Sequence, residues 1–194
     1  DNYMKIFANV YDFNPVSNKL TLKNSVILED NIDLIDQGAI TTTWDNKLHY
    51  VAYDVDYNPV LNTLDPYTNT NITKSIPIEA KANISIVRDN NNNLVLVGGT
   101  NTYDTKGNTV FGVRDNNKVF TYNVVTKVFT EVGTDILANV DLDLHSFHSV
   151  LRHDDKIMLF NNLNNGNYSA VDNQSTILID LKTSSIEILD NDHL

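Results

Sequence analysis

Three imidazoles fall within nine residues, at His145, His148 and His153, with Asp141, Asp143, Asp154 and Asp155 on either side. Histidine nitrogens joined by a carboxylate are the ligands zinc takes in catalytic sites. Strand alternation sends 145 and 148 to opposite faces, and 153 lies across a turn, so these groups do not converge and no metal is expected. Carboxylates also pair at i, i+2 spacing, as Asp54 with Asp56 and Asp141 with Asp143. Glycosidases and calcium sites need such pairs, but no run here has the full calcium-loop spacing with its Gly and terminal Glu. Those carboxylates therefore read as solvated acidic loops.

Other chemistries lack their residues. There is no cysteine, hence no disulfide, thiol nucleophile or cysteine zinc site. Gly-x-Ser-x-Gly and phosphate-loop patterns are absent, and Gly98-Gly99 ends an apolar run ahead of a polar loop rather than a helix. No enzyme activity and no cofactor are expected. What remains is surface recognition by aromatic side chains. Of Tyr50, Tyr53, Tyr57 and Tyr67, Tyr53 and Tyr57 lie close to Trp44 and could stack on a sugar or anchor a peptide. With Asp54 and Asp56 they make up the candidate binding set: Trp44, Tyr53, Asp54, Asp56 and Tyr57. The competing role for the tyrosines is packing between structural units.

Composition says what must hold these residues. The chain has 29 Asn and 21 Asp but only 4 Glu and 3 Arg, so turn formers abound and good helix formers are scarce. Four glycosylation sequons, at Asn71, Asn83, Asn167 and Asn173, match the number so much Asn, Ser and Thr would produce by chance, and carry no information. A net charge of −11 argues against nucleic-acid phosphates as partner, and no apolar run reaches the roughly 20 residues a membrane helix needs. Short runs such as 4–11, 47–53, 94–97, 118–123, 157–160 and 176–180 are apolar or alternating and bounded by Asn, Asp or Gly, which predicts an all-β chain.

The runs repeat. One unit is an apolar residue, then Asp or Asn, a polar turn and another strand, with the acidic or amide residue placed at positions 12, 65, 123 and 180, a recurrence of 53 to 58 residues. The other is a hairpin turning at Asp45-Asn46, at Asp89 to Asn93 and at Asp154-Asp155. The two alternate, so each pair predicts four antiparallel strands. A sandwich or a compact four-bladed domain would need a different strand count, and a sandwich needs no period near 55.

Three stretches resemble the kelch family of β-propellers. Leu94 to Gly99 is similar to the second strand and double glycine of a kelch blade. His148 to Leu151 followed by Lys156 to Phe160 is similar to the first two strands. Tyr11-Asp12 to Asn18-Lys19 resembles the tyrosine–aspartate turn before the last strand. Only one of three hairpins keeps the glycine pair, and the family's last-strand tryptophan is replaced by Leu20, Ile72, Val128 or Phe129, and Ile186. The resemblance implies about three and a half blades, part of a larger propeller: half a blade over 1–28, a blade over 29–78, a blade over 79–134 with an insertion at 100–117, and a C-terminal blade over 135–194. The expected function is a non-catalytic module binding another protein or another part of the same parent chain. The alternative is a carbohydrate-binding or attachment module of a viral or cell-surface protein, with a glycan as partner. A third reading is a fragment of a propeller-bearing hydrolase or oxidase. The missing cysteine fits a reducing cytosol, a virion and a bacterial surface alike.

Overall fold

In the computed structural model the apolar runs bounded by Asn and Asp form antiparallel strands. It describes residues 6–29, 35–42, 45–54, 56, 58–78, 82–100, 118–138, 147–153, 155–161 and 176–189. The first two strands are β1 (Ile6–Asn14) and β2 (Lys19–Glu29). Then come β3 (Ile35–Thr42), β4 (Leu48–Tyr53), β5 (Pro59–Asp65) and β6 (Thr70–Ser75). The third group is β7 (Ala82–Arg88), β8 (Leu94–Thr100), β9 (Val119–Asn123) and β10 (Val128–Glu131). The last is β11 (Phe147–His153), β12 (Lys156–Asn161), β13 (Thr176–Asp180) and β14 (Ser185–Leu189). No helix occurs among the described residues, so the chain is all-β.

Each group is its own sheet. β1 and β2 form a two-stranded ladder, and each later group is a four-stranded meander whose strands lie in chain order. Register matches side chains across the strands so that each face meets its own neighbouring sheet. Val51 sits opposite Leu61, Leu96 opposite Phe120 and Leu159 opposite Ile177, and a one-residue slip would exchange the two faces of a strand.

The middle sheets bury both faces, which explains why their second strands read as unbroken apolar runs rather than alternations. On β4, Tyr50 and Ala52 pack with Leu64 and Val26 of β2, while Val51 and Tyr53 pack with Leu94, Leu96 and Tyr122 of the following sheet. On β8 the remaining residues, Val95 and Val97, turn the other way, to Ile157, Leu159, Ile177 and Ile179. The sheets thus stack face to face in chain order. Backbones of successive sheets approach most closely at their first strands, β3 against β7 and β7 against β11. Fourth strands lie at the outside; β6 is exposed along nearly its whole length.

One sequence assignment needs correction. The repeated acidic or amide position of the first unit is Asn14, not Asp12. Asp12 lies inside the ladder opposite Thr21 and is ion-paired with Lys23 at 2.7 Å, whereas Asn14 closes the turn opposite Lys19. Tyr11-Asp12 and Phe13-Asn14 both fit the apolar–polar pattern, and only strand pairing separates them. The Val110 to Val113 stretch of the expected insertion lies outside the described residues.

Candidate interaction surface

Of the five expected binding residues, Tyr53, Asp54 and Asp56 lie among the described residues. Tyr53 is 5 % exposed and belongs to the core between the second and third sheets. Its role is therefore packing, because a ring already covered by Leu94 and Leu96 presents no face to a sugar. Asp54 follows the end of β4, so strand alternation does not govern its relation to Asp56. Instead, its carboxylate accepts from the backbone N–H of Asp56 (2.9 Å) and of Asn58 (2.8 Å) and from the Asn58 amide (3.1 Å). Asp56 is exposed on the same loop. Trp44 and Tyr57 lie outside the described residues, as do Asp141, Asp143, His145 and Asp154. His148 and His153 stand on β11.

The Asp54 arrangement occurs twice among the described residues. Asp89 accepts from the N–H of Asn91 (2.8 Å) and Asn93 (2.7 Å) and from the Asn93 amide (3.0 Å). Its own N–H donates to the Asn93 carbonyl, as the Asp54 N–H does to that of Asn58. Asp-x-x-x-Asn is thus a self-capping loop in which the side chains replace missing ladder bonds. That consumes the carboxylates structurally.

A second turn occurs four times among the described residues and builds a surface. Asn14, Asp65, Asn123 and Asp180 each end the first strand of a hairpin, and each side-chain oxygen accepts from the N–H groups two and three residues on. The donors are Val16 and Ser17, Tyr67 and Thr68, Val125 and Thr126, and Lys182 and Thr183. Four residues on, Asn18, Asn69, Lys127 and Ser184 all take the left-handed conformation, with φ from 51° to 59°. The geometry throws the side chain two residues after the acceptor into solvent. Val16 is 94 % exposed, Tyr67 61 % and Val125 84 %, and Lys182 completes the series.

Contacts between sheets bring each of the last three turns against the sheet before it. In a meander the turns after the first and third strands share an end, and the turn after the second lies opposite. Links between sheets hold the row together. The Asn24 amide on β2 donates to the Pro66 carbonyl, and the Lys74 ammonium on β6 donates to the Lys127 carbonyl. A Cβ added at Gly133, after β10, would stand 3.3 Å from the Ser184 Cβ. In each case the outer strand of one sheet, or the stretch just after it, meets the third-to-fourth-strand turn of the next. Open hollows flank both ends of the row. One, of about 500 Å³, lies by Phe13, Pro15 and Lys23, and another, of about 430 Å³, by Asp135, Ser184 and Ile188.

The electrostatics follow the turns. Backbone N–H groups at Tyr67 and Thr68 hold the Asp65 carboxyl below its ordinary value, and those at Thr183 and Lys182 do the same for Asp180. A hydrogen bond to Asp12 raises the Lys23 ammonium. Inside, burial lowers His49 to about 4, with its Nδ1 3.0 Å from the Thr63 hydroxyl. Among the described residues no three His, Asp or Glu side chains are grouped to hold a metal ion.

No family model matches this chain, and no curated protein matches it. Solved structures do. A protein of unknown function from Bacteroides caccae superposes with a TM-score of 0.55 over 90 % of this chain at 9 % identity. This chain spans 57 % of the length of that one. Such a likeness shows the fold alone.

The rim row is not legible in sequence because its four positions hold valine twice, a tyrosine and a lysine, at Val16, Tyr67, Val125 and Lys182. The turns share Asn or Asp followed three residues later by Ser or Thr, at 14 and 17, 65 and 68, 123 and 126, and 180 and 183, a pattern that positions 18, 143, 172 and 173 also fit.

Proposed function

We propose that the stacked sheets are blades of a kelch-like β-propeller, three and a half of them within a larger one, and that the module binds another protein without catalysing a reaction. Three features support the blade reading. The sheets are four-stranded meanders in chain order, they approach most closely at their first strands, and the same turn recurs once per unit. The longer solved chain it resembles leaves room for further units.

One observation carries the binding reading: the rim presents Val16, Tyr67 and Val125 to solvent at equivalent positions of successive turns. Exposed apolar residues scattered singly need no explanation, but a row held in fixed register by links between sheets is a docking edge. Each turn meets the preceding outer strand four or five residues from that sheet's own turn, on the order of 15 Å along it, so the row suits an extended protein segment spanning several units. A photo-crosslinker placed at position 67, and as control at position 56, tests this in native extract. Position 67 should capture a discrete partner that position 56 does not, and capture should vanish in a Val16→Asp/Val125→Asp variant of unchanged melting temperature. Equal labelling at both positions would refute the rim as the binding edge.

A further inference from the structure

The two-stranded ladder has one used face and one open one. Toward the second sheet it contributes Val26, which packs with Tyr50, Ala52 and Leu64. On the other side the cross-strand pairs Phe7–Ile27, Tyr11–Leu22 and Phe13–Leu20 lie together. All six are 47 to 66 % exposed. Between them Asn9 and Ser25 satisfy each other, the Ser25 hydroxyl donating to the Asn9 side-chain oxygen at 2.7 Å. The eight residues include no charge, in a chain where 20 % of residues are charged.

The repeat shows what such a face does elsewhere. Phe13 stands directly before the turn acceptor Asn14, as Leu64 stands before Asp65, Tyr122 before Asn123 and Ile179 before Asp180. Leu64, Tyr122 and Ile179 are all buried, and each belongs to the cluster shared with the preceding sheet in the chain. Phe13 alone of the four is open. The edge tells the same story. β5, β9 and β13 each pair on both sides, whereas among the described residues β1 pairs only with β2.

We infer that the open face of the β1–β2 ladder is a sheet-stacking interface for one further antiparallel sheet of the same repeat, carried by polypeptide N-terminal to it. Its occupant presents aliphatic residues from second and third strands, as Val51 with Leu61 and Val95 with Val119 do to the sheets that follow them. The solved chain it resembles, of which this one covers 57 %, has the extra length such a sheet requires. The inference rests on the repeated-blade reading and names the segment that continues it.

The test uses the paired substitution Phe13→Asp/Leu22→Asp, with Leu20→Lys as the milder second variant. Each is made in the natural polypeptide that includes the residues encoded upstream of Asp1, and in the 194-residue chain. In the longer polypeptide either variant should lower the melting temperature, the pair by on the order of 5 °C or more, and strip amide protection from β1 and β2. In the 194-residue chain both should leave melting nearly unchanged while abolishing fluorescence of a hydrophobic dye bound to the face. The inference is overturned by unchanged melting of the longer polypeptide, by upstream residues holding no four-strand unit, or by a dimer of the 194-residue chain that either variant dissociates. Partner capture at position 67 reads the opposite question, so loss of one result leaves the other standing.

Discussion

The ammonium of Lys74, on the outer strand of one sheet, stands 5.7 Å from the ring centroid of Tyr122 in the next. It lies 5.8 Å from Phe129 as well, and it donates to the Lys127 carbonyl of the turn beyond. A single flexible side chain thus links two sheets by a charge over aromatic faces and a hydrogen bond to backbone. Cation–π contacts at partly exposed sites contribute about 0.5–1 kcal/mol, and a charged hydrogen bond adds to that.

Lys74→Met should therefore destabilise by about 1–2 kcal/mol even though the aliphatic stem is kept. Urea titration followed by far-ultraviolet circular dichroism reads the shift in midpoint. Wild-type stability would show that this ammonium contributes nothing measurable between the sheets.

Leu94 is fully buried between two sheets. Leu94→Asp places a carboxylate among Val51, Tyr53 and Leu96, with no partner to offset its lost hydration. The expected cost exceeds about 4 kcal/mol, enough to abolish a cooperative thermal transition at neutral pH. Circular dichroism melting checks it, and a normal transition would displace β8 from the core.

The His49 imidazole is held neutral by burial, with its pKa lowered to about 4 from 6.5. The unfolded chain then binds the extra proton first. Stability contributed by neutral His49 is complete above pH 6.5 and declines as pH falls toward 4, by about 2–3 kcal/mol in all. His49→Gln should flatten this part of the profile. Denaturation midpoints at pH 7, 5.5 and 4 measure it, and parallel profiles for the two proteins would contradict the assignment.

Asp65 and Asp180 do in two turns what Asn14 and Asn123 do in the others. Their carboxyls are held below the ordinary value, so their contribution is present above about pH 4 and is lost as pH falls through the folded value. An amide accepts the same bonds without titrating. Asp65→Asn/Asp180→Asn should match the wild type at pH 7 and exceed it near pH 2.5, as followed by thermal melts. A variant equally sensitive to acid would remove these carboxylates as a cause.

Lys127 occupies the left-handed position of its turn at φ 59°, where Asn18 and Asn69 stand in two equivalent turns. A lysine side chain gains nothing there and strains the backbone, by about 1 kcal/mol. Lys127→Gly should raise stability by a few tenths to about 1 kcal/mol without disturbing the carbonyl that Lys74 uses. A lowered midpoint would mean that this side chain makes a stabilising contact of its own.

Strand content was legible because Asn and Asp punctuate it: Asp89 to Asn93 and Asp65 to Asn69 are turns by composition, and Leu94 to Val97 is a doubly buried strand by its unbroken apolar run. The first turn was mis-set by two residues, since only pairing with Thr21 and Lys19 tells Asp12 from Asn14. Tyr53 invited a surface reading because tyrosine is amphipathic, and burial depends on which sheet comes next in space, which no local pattern states. The exposed face of β1 and β2 was hidden for a related reason. Phe7, Tyr11 and Phe13 alternate as any half-buried strand does, and alternation reports an apolar face without reporting its cover.

Val51 and Val95 face only the sheet that follows them, and Leu64 and Tyr122 only the one before. Among the described residues, the buried clusters between sheets thus join nearest neighbours in the chain. Stability in such an architecture is a chain of local terms, and damage to one interface propagates outward a single step at a time. A unit can be duplicated or deleted between two such joints without redrawing the rest, provided the new joint meets aliphatic residues with aliphatic residues. The same modularity would let the series of exposed turns lengthen by one for every sheet gained.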